Sequence, residues 1–125
     1  MAARARLAVE GALAAARVDR STITDALFVL NELVGNAIRH ARTDFTVVAI
    51  VDEDSVRIEV FDRDTRPPSL LGLDAESTSG RGLHIVAGIS SDWGWHTAEG
   101  EHGVSGKVVW AELLLAPDAG EGDEG

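Results

Sequence analysis

At 125 residues with 45% hydrophobic content and no internal repeat, the chain is sized for one domain that buries its own core. A net charge of -10 excludes nucleic acid as the main ligand, because a phosphate backbone demands a basic face, and the absence of cysteine excludes disulfides and thiolate metal sites. No signal peptide or membrane span is visible, which points to the cytoplasm and to no membrane partner.

Ala2 to Val18 opens the sequence as an alanine- and arginine-rich segment, with Leu7, Gly11 and Ala14 on one possible helical face. Ser21 and Thr22 then offer hydroxyls suited to capping a helix start, so the next helix is expected from about Thr22 to about Ala41. Leu27, Leu30, Val34, Ala37, Ile38 and Ala41 recur at steps of three and four and form its apolar stripe. Glu32, Asn36 and Arg39 fall off that stripe. Asn36 follows Glu32 by four residues, a spacing that sets a carboxylate and a carboxamide side by side on one face. Together they offer a base and a hard oxygen ligand. Polar decoration of a solvated face produces the same pattern, and the helix alone does not separate the two.

Phe45 to Val51 and Ser55 to Phe61 are β-branched, partly alternating runs separated by Asp52-Glu53-Asp54, which reads as a hairpin. The second run ends in Asp62, a carboxylate where a strand leaves a sheet. Arg63 to Ser79 is a loop by composition, long enough to act as a lid. It ends in Ser79-Gly80-Arg81-Gly82, followed by Leu83 to Ile89, which reads as a short buried helix. Glycines just before a helix let the backbone approach a phosphate, and the first-turn N–H groups point at the anion. Two strands follow, around Asp92 to Thr97 and Gly106 to Leu115, and the acidic tail Ala116 to Gly125 has the composition of a disordered segment. Residues 1–115 are therefore expected to form a single domain.

Two rival nucleotide motifs fail on these glycines. A dinucleotide fingerprint needs glycine at position 85, where Ile85 stands, and a P-loop needs Ser or Thr after Gly106-Lys107, where Val108 stands. The four histidines, His40, His84, His96 and His102, lack metal-ligand spacing. Trp93, Trp95 and Trp110 suit the sheet face and its helix contact.

The arrangement resembles the GHKL ATPases, whose nucleotide site is the Bergerat or histidine-kinase-like ATPase fold, and within them the small actinobacterial anti-sigma-factor serine/threonine kinases. Glu32 to Ala41 resembles the N box, Val60-Phe61-Asp62 the adenine-binding aspartate segment, and Ser79 to Val86 the glycine box. Trp93-Gly94 and Gly106 to Leu113 resemble the closing strands. The resemblance implies an α+β two-layer sandwich, with a mixed, mostly antiparallel sheet and helices on one face. It further implies ATP and Mg²⁺ as cofactors. Asn36 would give its side-chain oxygen to Mg²⁺, Glu32 would orient or deprotonate the attacking hydroxyl, and Asp62 would accept from the adenine amine. Backbone amides at Gly80, Arg81, Gly82 and Leu83 would cradle the phosphates, with Arg81 and Arg39 adding positive charge.

Three positions depart from the family pattern: Asp64 and Arg66 replace glycines after the adenine aspartate, and Val108 replaces a threonine near the adenine. Family members also usually begin with a strand before the first helix, whereas Met1 opens here onto Ala2 to Val18. Without that strand a sheet edge is uncovered, which invites pairing as a homodimer. The partners that the resemblance implies are a STAS-like anti-anti-sigma protein, phosphorylated on serine or threonine, and a sigma factor held in sequestration. The alternative is a module that binds nucleotide, or none, without catalysis. Glu32 beside Asn36 favours the enzyme; Asp64, Arg66 and Val108 favour the module.

Overall fold

The computed structural model describes residues 2–41, 44–66, 85–99, 103 and 105–115. Their order is helix α1 (Ala2–Ala15), helix α2 (Arg20–Asn36), a π-helical turn (Ala37–Ala41), strands β1 (Phe45–Val51) and β2 (Ser55–Asp62), a helical stretch at 85–89, and strands β3 (Asp92–Glu99) and β4 (Ser105–Leu114). This is the expected α+β arrangement, and every pairing among the described strands is antiparallel. Most of the glycine box, including Gly80, Arg81, Gly82 and Leu83, most of the lid segment and the acidic tail lie outside the described residues; of the expected short buried helix, Val86 is buried and Ile85 is exposed. No described helix is long and apolar enough to cross a membrane.

Helix α1 packs on α2 through a face other than the one the sequence suggests. Val9 and Leu13 are buried, while Leu7 is 69% exposed and Gly11 and Ala14 face solvent. It ends with Arg17 at φ 65°, where the Val18 N–H reaches Leu13 O at 3.0 Å and the Arg17 N–H reaches Ala14 O at 2.9 Å. Those two bonds satisfy carbonyls that the last turn would leave open.

The start of α2 also differs from expectation. Asp19, not Ser21 or Thr22, is the N-cap, and its carboxylate accepts from the Thr22 N–H at 3.0 Å, Thr22 Oγ1 at 2.7 Å and Ser21 Oγ at 2.9 Å. The two hydroxyls donate to a stronger acceptor already in place, so the helix begins at Arg20. At the other end the α ladder gives way to the π turn, with the Ala37 N–H shared between Leu33 O and Val34 O. The wider turn rotates the face that follows, leaving Ala37 buried and Ile38 46% exposed. The buried stripe is accordingly Ile23, Ala26, Val29, Leu30, Leu33, Val34 and Ala37.

The sheet runs β1-β2-β4-β3, with β1 and β3 at its edges. Its register stacks three rows that cross all four strands on the face toward the helices, beside a shorter row of Val51, Val56 and Leu113. Ala49, Ile58, Ala111 and Trp93 form one, and Val47, Val60, Val109 and Trp95 the next. Phe45, Asp62, Lys107 and Thr97 form the last. The first two rows close the core beneath α2; the third changes to polar residues at the end of the sheet. On the opposite face the Arg57 guanidinium lies 4.1 Å from the centre of the Trp110 ring and 2.7 Å from Glu59, so Trp110 stands away from the helices while Trp93 and Trp95 pack against the core.

The polar row depends on a close backbone approach at Gly106. A Cβ there would lie 2.0 Å from Asp62 O and 2.7 Å from the Phe61 ring, so no other residue fits without parting β2 from β4. Gly106→Ala is expected to cost roughly 2 kcal/mol or more in chemical denaturation, the scale of forced overpacking. A loss under about 0.5 kcal/mol would mean that the strands separate freely there.

Candidate functional site

Asn36 closes α2 at the junction with the π turn and is 5% exposed. Its Oδ1 is buried without a hydrogen-bond partner. Off the stripe in the sequence, it is nevertheless enclosed in the fold, because α2 and the π turn both pack on β2. An unsatisfied buried carbonyl costs about 1–3 kcal/mol, a cost that a bound cation or donor would offset.

One turn earlier, Glu32 is half-buried. Burial pushes its carboxyl above the usual value, and the Arg39 charge partly offsets that rise. Arg39 is exposed and folds back along the helix, and a side chain at Gly35 would meet its guanidinium at 2.9 Å. Glu32, Gly35, Asn36 and Arg39 thus lie together: a carboxylate made more basic, a buried unpartnered acceptor and an exposed positive charge. Proton acceptance by a carboxylate with a raised pKa is the usual property of a general base.

Asp62 ends β2, 2% exposed. Directly opposite in the register stands Lys107, whose Nζ donates to Asp62 Oδ1 at 2.9 Å and to Asp64 O at 3.0 Å. The Asp64 N–H donates to the same Oδ1 at 2.9 Å. Among the described residues both contacts to Asp62 fall on Oδ1, which makes Oδ2 the oxygen through which a ligand would be met.

Lys107 is the buried partner of Asp62 that the sequence reading does not single out. Val108 was the expected neighbour of the base, but it pairs with Phe61 on the other face of the sheet. The signal was available in the alternation of β4, where Lys107 shares its parity with the buried Val109, Ala111 and Leu113. Thr97 joins the same row from β3.

Asp64 and Arg66, the departures from the glycine pattern, hold each other. Arg66 donates from its side chain to the Asp64 carboxylate at 2.5 Å and from its backbone N–H at 2.9 Å, and these bonds hold that carboxyl far below the usual range. They shape the chain leaving β2 and add little stability, since the Arg66 side chain is 76% exposed.

The residues present suit Mg²⁺ and an adenine nucleotide. Asn36 offers one hard, unpartnered oxygen, and no cluster of three or more His, Cys, Asp or Glu able to hold a metal occurs among the described residues. That sparse donor set fits Mg²⁺, which keeps several waters and takes its other ligands from phosphates. A hollow of about 590 Å³ between α1 and β1, lined by Arg4, Ala8, Ile38, Phe45 and Val47 among others, contains none of Glu32, Asn36 or Asp62.

The Glu32 shift has a consequence for stability. The folded state holds the Glu32 proton more firmly than the unfolded state, so ionisation disfavours folding, and that penalty fades as pH falls through the carboxylate range. Glu32→Gln is therefore expected to raise the melting temperature slightly at pH 7, with the gain shrinking on acidification. A variant less stable at pH 7, or a gain that grows in acid, would contradict the desolvated carboxylate.

A family model described as a histidine kinase-like ATPase domain matches residues 1–112. Comparison with curated proteins gives no match. With that match spanning nearly the whole chain, over helices layered on an antiparallel sheet, the protein belongs to the histidine kinase-like ATPase domain family.

Proposed function

We propose that the protein is an ATP-dependent regulator that phosphorylates a serine or threonine of a STAS-like anti-anti-sigma partner and sequesters a sigma factor. Family membership carries the coarser part, ATP binding in a nucleotide-dependent regulatory role. The partners rest on the resemblance of the N box, adenine segment and glycine box to the anti-sigma kinases. One observation carries the enzymatic part: a half-buried carboxylate, Glu32, stands one helical turn from the unpartnered buried Oδ1 of Asn36. A scaffold that only binds partners has no use for a destabilising open acceptor beside a base.

Phosphoryl transfer asks mainly for positioning and electrostatic stabilisation. Glu32 would accept the proton of the attacking hydroxyl, its carboxylate made more basic by burial. Asn36 Oδ1 would hold Mg²⁺, which supplies charge neutralisation at the transferring phosphoryl group. Arg39, exposed and anchored one turn beyond Gly35, would add charge from the rim of the site. Asp62 Oδ2 would accept from the adenine amine. Self-association belongs to the same reading, because edge strand β1 exposes Val48 and Ile50.

A second reading, a nucleotide-responsive module without catalysis, is favoured by Asp62, whose Oδ1 is already satisfied by Lys107 and the Asp64 N–H. The two readings part in a transfer assay with Mg-ATP and STAS-domain proteins as acceptors, with phosphoserine and phosphothreonine read by mass spectrometry. Transfer is expected, falling roughly 100-fold or more in Glu32→Gln, the usual scale for a lost general base. Undiminished transfer in that variant would remove Glu32 from the chemistry. Absence of transfer by a protein that still binds Mg-ATP would leave the binding module.

A further inference from the structure

Asp62 and Lys107 face each other across β2 and β4 with side chains 3% and 5% exposed. Lys107 Nζ at 2.9 Å and the Asp64 N–H at 2.9 Å both converge on Oδ1. The lysine is itself tied in place by the Asp64 carbonyl at 3.0 Å, so it has little freedom to swing away when a ligand arrives. Oδ1 is filled by donors of the protein itself.

This asymmetry matters because purine bases differ in how many oxygens they ask of a carboxylate. Adenine presents one exocyclic amine, which a single oxygen satisfies. Guanine presents N1–H and the 2-amino group side by side, and a carboxylate reads that pair with both oxygens at once. A carboxylate with one oxygen already occupied can serve the first base fully and the second only in part.

We propose that Lys107 is a nucleobase-specificity residue: by occupying Oδ1 of Asp62 it leaves one acceptor oxygen to the ligand, so the site takes a 6-aminopurine and refuses the paired donors of guanine. The proposal rests on Asp62 meeting the base, as in the proposed function. Gly106 supports it by letting β2 and β4 approach closely enough for the pair to form. The discrimination is expected to be about 10-fold or more, the scale of leaving one buried donor unpaired.

Competition binding of ATP, GTP and ITP to wild type and to Lys107→Met tests it, with thermal melts of the unliganded proteins as the folding control. ITP keeps N1–H but lacks the 2-amino group. Wild type is expected to prefer ATP over GTP by about 10-fold or more and to bind GTP no more tightly than ITP. In Lys107→Met the Oδ1 lone pair that the lysine releases, beside the one still held by the Asp64 N–H, is expected to narrow the ATP preference about 10-fold and to let GTP overtake ITP. A lysine that served only the fold would lower the melting temperature and weaken all three nucleotides alike.

Two results would overturn the specificity role. One is wild type binding GTP several-fold more tightly than ITP; the other is a folded Lys107→Met with an unchanged ATP to GTP ratio. Should that variant fail to fold, the GTP and ITP comparison on wild type decides. Folded wild type that binds none of the three overturns the proposed function as well, whereas binding of ATP with the wrong ratios overturns the specificity role alone.

Discussion

The buried ion pair of Asp62 and Lys107 is the constraint from which the rest of the site follows. Removing two opposite charges from water costs several kcal/mol per ion, and their attraction offsets that cost only when the remaining lone pairs and protons are also satisfied. Here the Asp64 N–H takes a second lone pair of Oδ1 and the Asp64 carbonyl a second ammonium proton, both from the chain just leaving β2. One lysine thereby secures the last row of the sheet, the carboxylate at its end and the first bend of the segment that follows. The pair exists because Asp62 and Lys107 share a register position and because Gly106 allows the backbones to close. Sheet register, glycine placement and the one-sided bonding of the Asp62 carboxylate are three aspects of one geometry.

Helix α2 shows the opposite economy. Its apolar stripe packs without waste against the sheet, yet it ends on a buried acceptor with no partner and a half-buried carboxylate raised by desolvation. Both features cost stability in the free protein. A π turn immediately after Asn36 adds a further departure from ideal geometry, and such turns cluster at functional sites. An unpartnered acceptor, a desolvated carboxylate and a π turn in one stretch are costs that a ligand supplying the missing contacts would offset.

Much of the fold was legible because it rests on local pattern. The alternation of Phe45 to Val51 and Ser55 to Phe61, broken by three acidic residues, produced the hairpin, and the spacing of Glu32 and Asn36 placed them on neighbouring turns. What escaped depends on tertiary context. Asp19 outcompetes Ser21 and Thr22 as a cap because a carboxylate is the stronger acceptor and lies where both hydroxyls can reach it. Asn36 is enclosed through the packing of α2 and the π turn on β2, which no helical wheel contains. In α1, Leu7 and Val9 are equally apolar, and the way the helix docks on α2 buries the second and exposes the first. Lys107 enters the sequence reading only as half of a failed P-loop and as part of the closing-strand resemblance, and the attention given to the neighbouring Val108 points to the face of β4 opposite Asp62.

Calorimetric titration of ATP with and without Mg²⁺ into wild type and Asn36→Leu bears most directly on the site as a whole. Leucine matches the shape of asparagine and removes the orphaned oxygen, so the variant should be at least as stable as wild type. The expected result is nucleotide binding by wild type that Mg²⁺ strengthens, with that enhancement lost in a variant whose melting temperature is equal or higher. Magnesium enhancement that survives in Asn36→Leu, or folded wild type that binds no ATP, would contradict a nucleotide site built on Asn36 and Asp62.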